Sequence, residues 1–164
     1  MGRDWPLRNA PGRTCQKLRH EVDAVKWATR PGIHIDRAAS AWLIVRRIDP
    51  GAEFVYCTDL TDVPGDATAF DMFGADLGHH GDDVTFETIL RRYDLDDPVL
   101  WRIAEIVHEA DIEDGRFDAP AAPGFDLLFR AMQHGQADED VRLVTSQVLD
   151  QVELYLRDEM LRGL

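Results

Sequence analysis

The sequence predicts an α+β (mixed α/β) domain, with a small sheet built by a βαββ front half and a helical back half of about four helices. Three observations carry this expectation. Strand-like runs all fall before residue 74, apolar residues recur at helical spacing through the second half, and Pro-Gly pairs at 31–32, 50–51 and 64–65 separate the front elements. Residues 1–22 read as a flexible basic tail, broken by Gly2, Pro6, Pro11 and Gly12, and residues 23–164 as one domain. "AVKWATR" (24–30) reads as a short strand closed by Pro31-Gly32. "IDRAASAWLIVRRIDP" then gives a helix: Asp36 suits the N-cap, Ala38, Ala41, Trp42, Val45 and Ile48 recur at helical spacing, and Pro50-Gly51 ends it. "AEFVYC" (52–57) and "ATAFDMF" (67–73) supply two more strands. Helices are expected at 84–93, 97–112, 123–134 and 138–162, the last with an apolar stripe of Val141, Val144, Val148, Leu149, Val152 and Leu156.

Charge narrows the partners. The net value is −13, yet residues 1–30 carry seven Lys/Arg against three Asp/Glu, and the remainder eleven against twenty-eight. So acidic a body repels phosphate backbones, which speaks against nucleic-acid binding by the folded part. No apolar run approaches the ~20 residues of a membrane span, and the start lacks the apolar core of a secretory signal, so a cytoplasmic protein without membrane contact is expected. Cys15 and Cys57 are too few for a disulfide framework.

The chemistry-bearing residues are histidines and carboxylates. "GADLGHHGDD" places His79 and His80 between glycines, and Gly78 and Gly81 free the backbone enough for at least one imidazole to face inward. In "LWRIAEIVHEADIEDG", Val99, Ile103, Ile106, Val107 and Ala110 form the core face of a helix, while His108 and Asp111 share one flank. A His/Asp pair three residues apart can meet one cation; a local hydrogen bond near the helix C-terminus is the plainer reading. Glu87 either adds a carboxylate or pairs with Arg91 four residues on. Asp36 is an N-cap first, and a ligand or an orienting residue second. His34 reads as a polar face residue and His134 as an exposed helix end. Mixed imidazole and carboxylate donors without thiolate favour Mn, Fe or Zn. GxGxxG, Walker A, GxSxG and HExxH motifs are absent, and Ser40 and Cys57 lack any activating neighbour pattern.

Together "KWATR", "IDRAASAWLIVRRIDPGAEFVY", "FDMFGADLGHHGDDVTFETIL", "DDPVLWRIAEIVHEADIEDGRF" and "APGFDLLF" resemble the C-terminal domain family of the chromate-resistance protein ChrB, over roughly residues 26–160. The resemblance implies a role in handling chromate or related oxidative stress. In ChrB proteins the domain follows an N-terminal region, and the combined protein is described as a chromate-responsive regulator. Only a short tail precedes it here, which, like the acidic body, argues against a DNA-binding regulator. Asp36, Arg37, Asp71, His79, Glu87, His108 and Asp111 match the family pattern, whereas His80 stands where the family loop usually has glutamate.

The leading expectation is therefore a single divalent transition metal (Fe, Mn or Zn) held by His79, His108 and Asp111, with His80 and Glu87 as additions. Asp36 and Asp71 would orient these ligands. Arg37, and secondarily Arg46, would receive a small oxyanion or oxidised substrate. An open coordination position would allow Lewis-acid or redox chemistry, so an enzyme is one outcome. A non-enzymatic sensor or regulator responding to metal or chromate is the second reading, and a structural helical domain the third. The long last helix offers a homodimer face.

Overall fold

In a computed structural model, residues 25–163 are described; the basic tail of 1–22 and Cys15 lie outside them. The chain runs β1 (Lys26–Thr29), α1 (Ile35–Leu43), a π-helical turn (Ile44–Ile48), β2 (Glu53–Tyr56), a 3₁₀ turn (Leu60–Asp62), β3 (Ala67–Ala69), α2 (Thr85–Arg92), α3 (Pro98–Asp111), α4 (Ala122–Gln133) and α5 (Asp138–Arg162). The expected α+β class, with a small sheet and a helical back half, holds.

All three strands are parallel, in the order β2-β1-β3, with Lys26 paired to both Glu53 and Ala67. The central strand is also the most buried: Trp27, Ala28 and Thr29 are covered, while β2 and β3 are half-exposed. A parallel pair needs a crossover, and α1 supplies the one between β1 and β2. All nine α1 residues are buried, and α2, α3, α4 and α5 pack around it. Ala38, Ala39 and Ala41 permit that crowding because small side chains let neighbouring backbones approach. Trp42 stacks on Phe86 at 6.4 Å.

The expectations for these front elements are corrected here. The α1 N-cap is His34, not Asp36, and α1 stops at Leu43. The next turn widens, with Asp49 N–H donating to Ile44 O five residues back, and it carries Arg46 toward α5. There the Arg46 fork holds Asp150 with bonds of 2.8 and 2.6 Å, and Trp42 Nε1 donates to the same carboxylate at 2.8 Å. Arg46, expected as a secondary anion receiver, is thus a clamp between α1 and α5, engaged by Asp150 through Nε and Nη2. β3 ends at Ala69, short of residue 73, because the chain turns at Asp71, whose φ of 47° places it in the left-handed region.

Among the described residues no helix is long and apolar enough to cross a membrane.

Candidate metal centre

In open parallel sheets, ligands collect beyond the carboxyl ends of the strands. Here Arg30 follows β1 directly and Asp71 lies two residues past β3. With His34, Asp36, Arg37, His79 and Asp111 they line a cleft of about 260 Å³.

Asp36 is the hub of this cleft. It sits in the first turn of α1, almost fully buried, but its carboxylate reaches the start of α2: Thr85 N–H donates to Oδ2 and Phe86 N–H to Oδ1, each at 2.9 Å. Asp36 therefore caps a helix, though not its own, and its negative charge suits the positive end of α2. His79 Nε2 pairs with Asp36 Oδ2 at 3.1 Å and lies 3.7 Å from Asp111 Oδ2. The hydrogen bond to Asp36, against a smaller opposing effect of burial, holds the His79 pKa above its ordinary value.

Asp71 is buried as well. Burial first, and the Asp36 charge second, push its pKa up to about 6, against the pull of Arg37, Arg30 and His79. Thr85 Oγ1 donates to Asp71 Oδ1 at 3.3 Å. Arg37 Nε lies 2.7 Å from Asp71 Oδ2 as an ion pair without hydrogen-bond alignment, while its Nη1 donates to the carbonyls of Pro31 and Gly32. Arg37, expected as the anion receiver, is thereby engaged by the protein through Nε and Nη1. Arg30 is half-exposed; it donates Nε to Asp71 O at 3.1 Å, and its Nη2 lies 3.7 Å from Asp71 Oδ1.

The glycine-flanked pair now has a structural account. Gly78 sits so close to the loop backbone that a Cβ there would come within 3.1 Å of Met72 O and 3.2 Å of Ala75 O. Gly81 supplies a φ of +61°, next to the short bridge between His80 and Asp83. Between them the two rings diverge. His79 turns into the cleft, and His80 donates Nε2 to Asp76 O at 2.8 Å.

His108 does not join His79. It is fully buried on α3, with Nδ1 2.7 Å from Glu87 Oε2 and Nε2 3.3 Å from Asp114 Oδ1. One nitrogen faces Glu87 and the other Asp114. Burial alone would lower the His108 pKa, but Glu87 and Asp114 outweigh it and hold the value above the ordinary range. Glu87 also accepts from Val84 N–H at the α2 N-cap, and Arg91 pairs with Asp83, so the expected Glu87–Arg91 pair is absent. Asp111, three residues on, faces His79 and His34. Among the described residues, donor atoms within 4.8 Å of one another form two groups. One is Asp36, Asp71 and His79; the other is His108, Glu109 and Asp114. The expectation that His79 and His108 close around one ion is therefore corrected: the α3 flank divides between two environments.

Residues 27–156 fit the family described as ChrB, C-terminal domain. The chain belongs to the ChrB C-terminal domain family. Over 119 residues this ChrB-family domain is 38% identical to Protein ChrB of Cupriavidus metallidurans, a match covering 72% of the chain and 36% of that protein. The chain thus spans about a third of that relative's length. No solved structure matches. The chromate-resistance kinship implied by the sequence holds at the level of the family.

Within this ChrB-family domain, sequence reasoning passed over Arg30, His34, Asp114 and Asp126 as site residues. His34 Nε2 lies 2.9 Å from Asp126 Oδ1 and Nδ1 lies 3.7 Å from Asp111 Oδ1, so it bridges α3 and α4 at the cleft wall. Their position just after the first strand was the available signal for Arg30 and His34.

Proposed function

We propose that this ChrB-family domain binds one divalent transition metal ion, Mn, Fe or Zn, through Asp36, Asp71 and His79. The ion is presented to a small oxyanion or oxidised substrate, chromate being the one the family implies. The supporting observation is that these three residues each offer a donor atom within 4.8 Å of the others. Two are buried carboxylates that repel each other, and a cation relieves that repulsion. Two carboxylates and an imidazole, without thiolate, fit a borderline or hard ion.

A bound ion would supply Lewis-acid or one-electron chemistry at an open cleft. The chain's own residues do the rest. Thr85 and Phe86 amides fix the Asp36 carboxylate, Arg37 and Thr85 hold Asp71, and Asp111 Oδ2 lies 3.7 Å from the same His79 nitrogen that meets Asp36. Elemental analysis of the protein purified without chelator tests this reading. The expected result is close to one equivalent of a transition metal, lost in His79→Ala and Asp71→Asn but kept in His108→Ala. A metal-free wild type, or a His79→Ala protein with full metal, overturns it.

One observation favours a sensor over an enzyme. Asp36 serves both the candidate ligand set and the cap of α2, so loading the site alters the hold on that helix. Metal-dependent turnover of chromate, superoxide or peroxide would favour the enzyme; a metal-linked change in α2 protection without turnover would favour the sensor. The homodimer reading rests on Leu154, Tyr155 and Leu161, which stand exposed along α5.

A further inference from the structure

Beside the polar cleft lies a second chamber of about 380 Å³. The two share Arg30, Asp71 and His79, so they meet at the guanidinium and the imidazole. The walls of the second chamber differ in kind. Met72, Phe73 and Ala75 form an apolar side, with Met72 and Ala75 buried. Phe73 is 97% exposed, more than any other large apolar residue described, and it stands at the rim of this chamber. A four-oxygen inorganic anion needs about 120 Å³ if each oxygen takes the space of a water molecule, which leaves most of the chamber unused. Pockets of this size with one apolar side and a few fixed polar groups suit small organic molecules.

Arg30 gives the anchoring charge. Its Nε is bound to Asp71 O; Nη2 lies 3.7 Å from Asp71 Oδ1, an ion pair longer than a hydrogen bond, and the half-exposed fork faces the chamber. Arg37, the other guanidinium of the cleft, is taken up by Pro31, Gly32 and Asp71. Two parallel N–H groups on a planar fork match a carboxylate or a similar oxyacid head.

We propose that the site takes an organic anion with an apolar body. The acid head lies on Arg30 beside the cation position, and the carbon skeleton lies against Met72, Ala75 and the ring of Phe73. This rests on the cation site proposed above for its setting, because the surrounding carboxylates disfavour an anion unless a cation offsets them. It adds a substrate class that inorganic oxyanion binding does not require.

The test is calorimetric titration of the Mn²⁺-supplemented full chain with benzoate and, separately, with inorganic phosphate and chromate, metal content being measured on the same samples. Benzoate is expected to bind about tenfold more tightly than either inorganic ion. Arg30→Gln is expected to weaken benzoate about tenfold with metal content unchanged. Phe73→Ser is expected to weaken benzoate severalfold and leave phosphate as it was; both positions are solvent-facing, so the fold is retained. Equal affinity for benzoate and phosphate, or benzoate binding indifferent to both substitutions, overturns the proposal. Metal uptake failing in the wild type counts against the cation site instead. In that case benzoate binding that is still lost in Arg30→Gln supports this one, and no benzoate binding overturns it.

Discussion

Asp36 shows how much one side chain can carry. A carboxylate at 3% exposure is costly unless its oxygens are bonded, and here two amides of another helix and an imidazole meet it. Removing it leaves the first amides of α2 buried without acceptors. We expect Asp36→Ala to destabilise the protein by about 2–4 kcal/mol, as two orphaned donors and a lost cap combine. Asp36→Asn, which keeps one acceptor oxygen, should cost roughly half of that. Urea midpoints at constant m decide it. Equal losses in the two variants would mean that the charge on Asp36, not its hydrogen bonds, fixes α2. His80, by contrast, is an exposed residue tied to a backbone carbonyl, and its substitution should leave metal content unchanged.

At the scale of elements, the Glu87–His108 pair pins α2 to α3, and Asp114 draws the following loop to the same ring. This pin has a pH dependence whose sign follows from the raised His108 pKa. Protonated His108 favours the folded state, so its contribution is fully present below the ordinary histidine value of 6.5 and is lost as pH rises through the higher folded value. Wild-type stability should therefore fall more steeply than that of His108→Gln as pH is raised above 6.5. Parallel stability curves across that window would contradict the pin. The clamp of Trp42 and Arg46 on Asp150 works differently, because an arginine stays charged throughout and holds α1 to α5 at any ordinary pH.

For the whole molecule, a three-stranded parallel sheet is too small to bury itself, and α1 becomes the centre around which the other four helices gather. Buried positions such as Ala39 then limit what the core accepts. The outermost helix, α5, runs for 25 residues with Leu154 60% and Leu161 82% exposed. If that face joins two copies, sedimentation should show a concentration-dependent dimer in the wild type that Leu154→Lys abolishes. A monomer at every concentration removes the homodimer.

Class, element order and family were legible in the residues alone. Periodicity and turn residues are local, and the four back helices fell within one or two residues of where their spacing put them, 84–93 against Thr85–Arg92 for instance. Local patterns also led to one inward-facing ring of the His79–His80 pair, through the glycines that bracket it, and the structure makes that ring His79. What the tertiary structure decided was partnership. Asp36 looked like the cap of its own helix and caps another, 49 residues away. Glu87 looked bound to Arg91 and turned to His108, while Asp111, on the same flank of α3 as His108, turned to His79 and His34. A helix wheel gives a direction for each side chain but says nothing of what stands opposite it, and opposing charges in a buried site are set by packing that joins residues distant in sequence. Arg30 stands just past the first strand in the sequence, but Asp71 came beside it only when the carboxyl ends of β1 and β3 lay side by side.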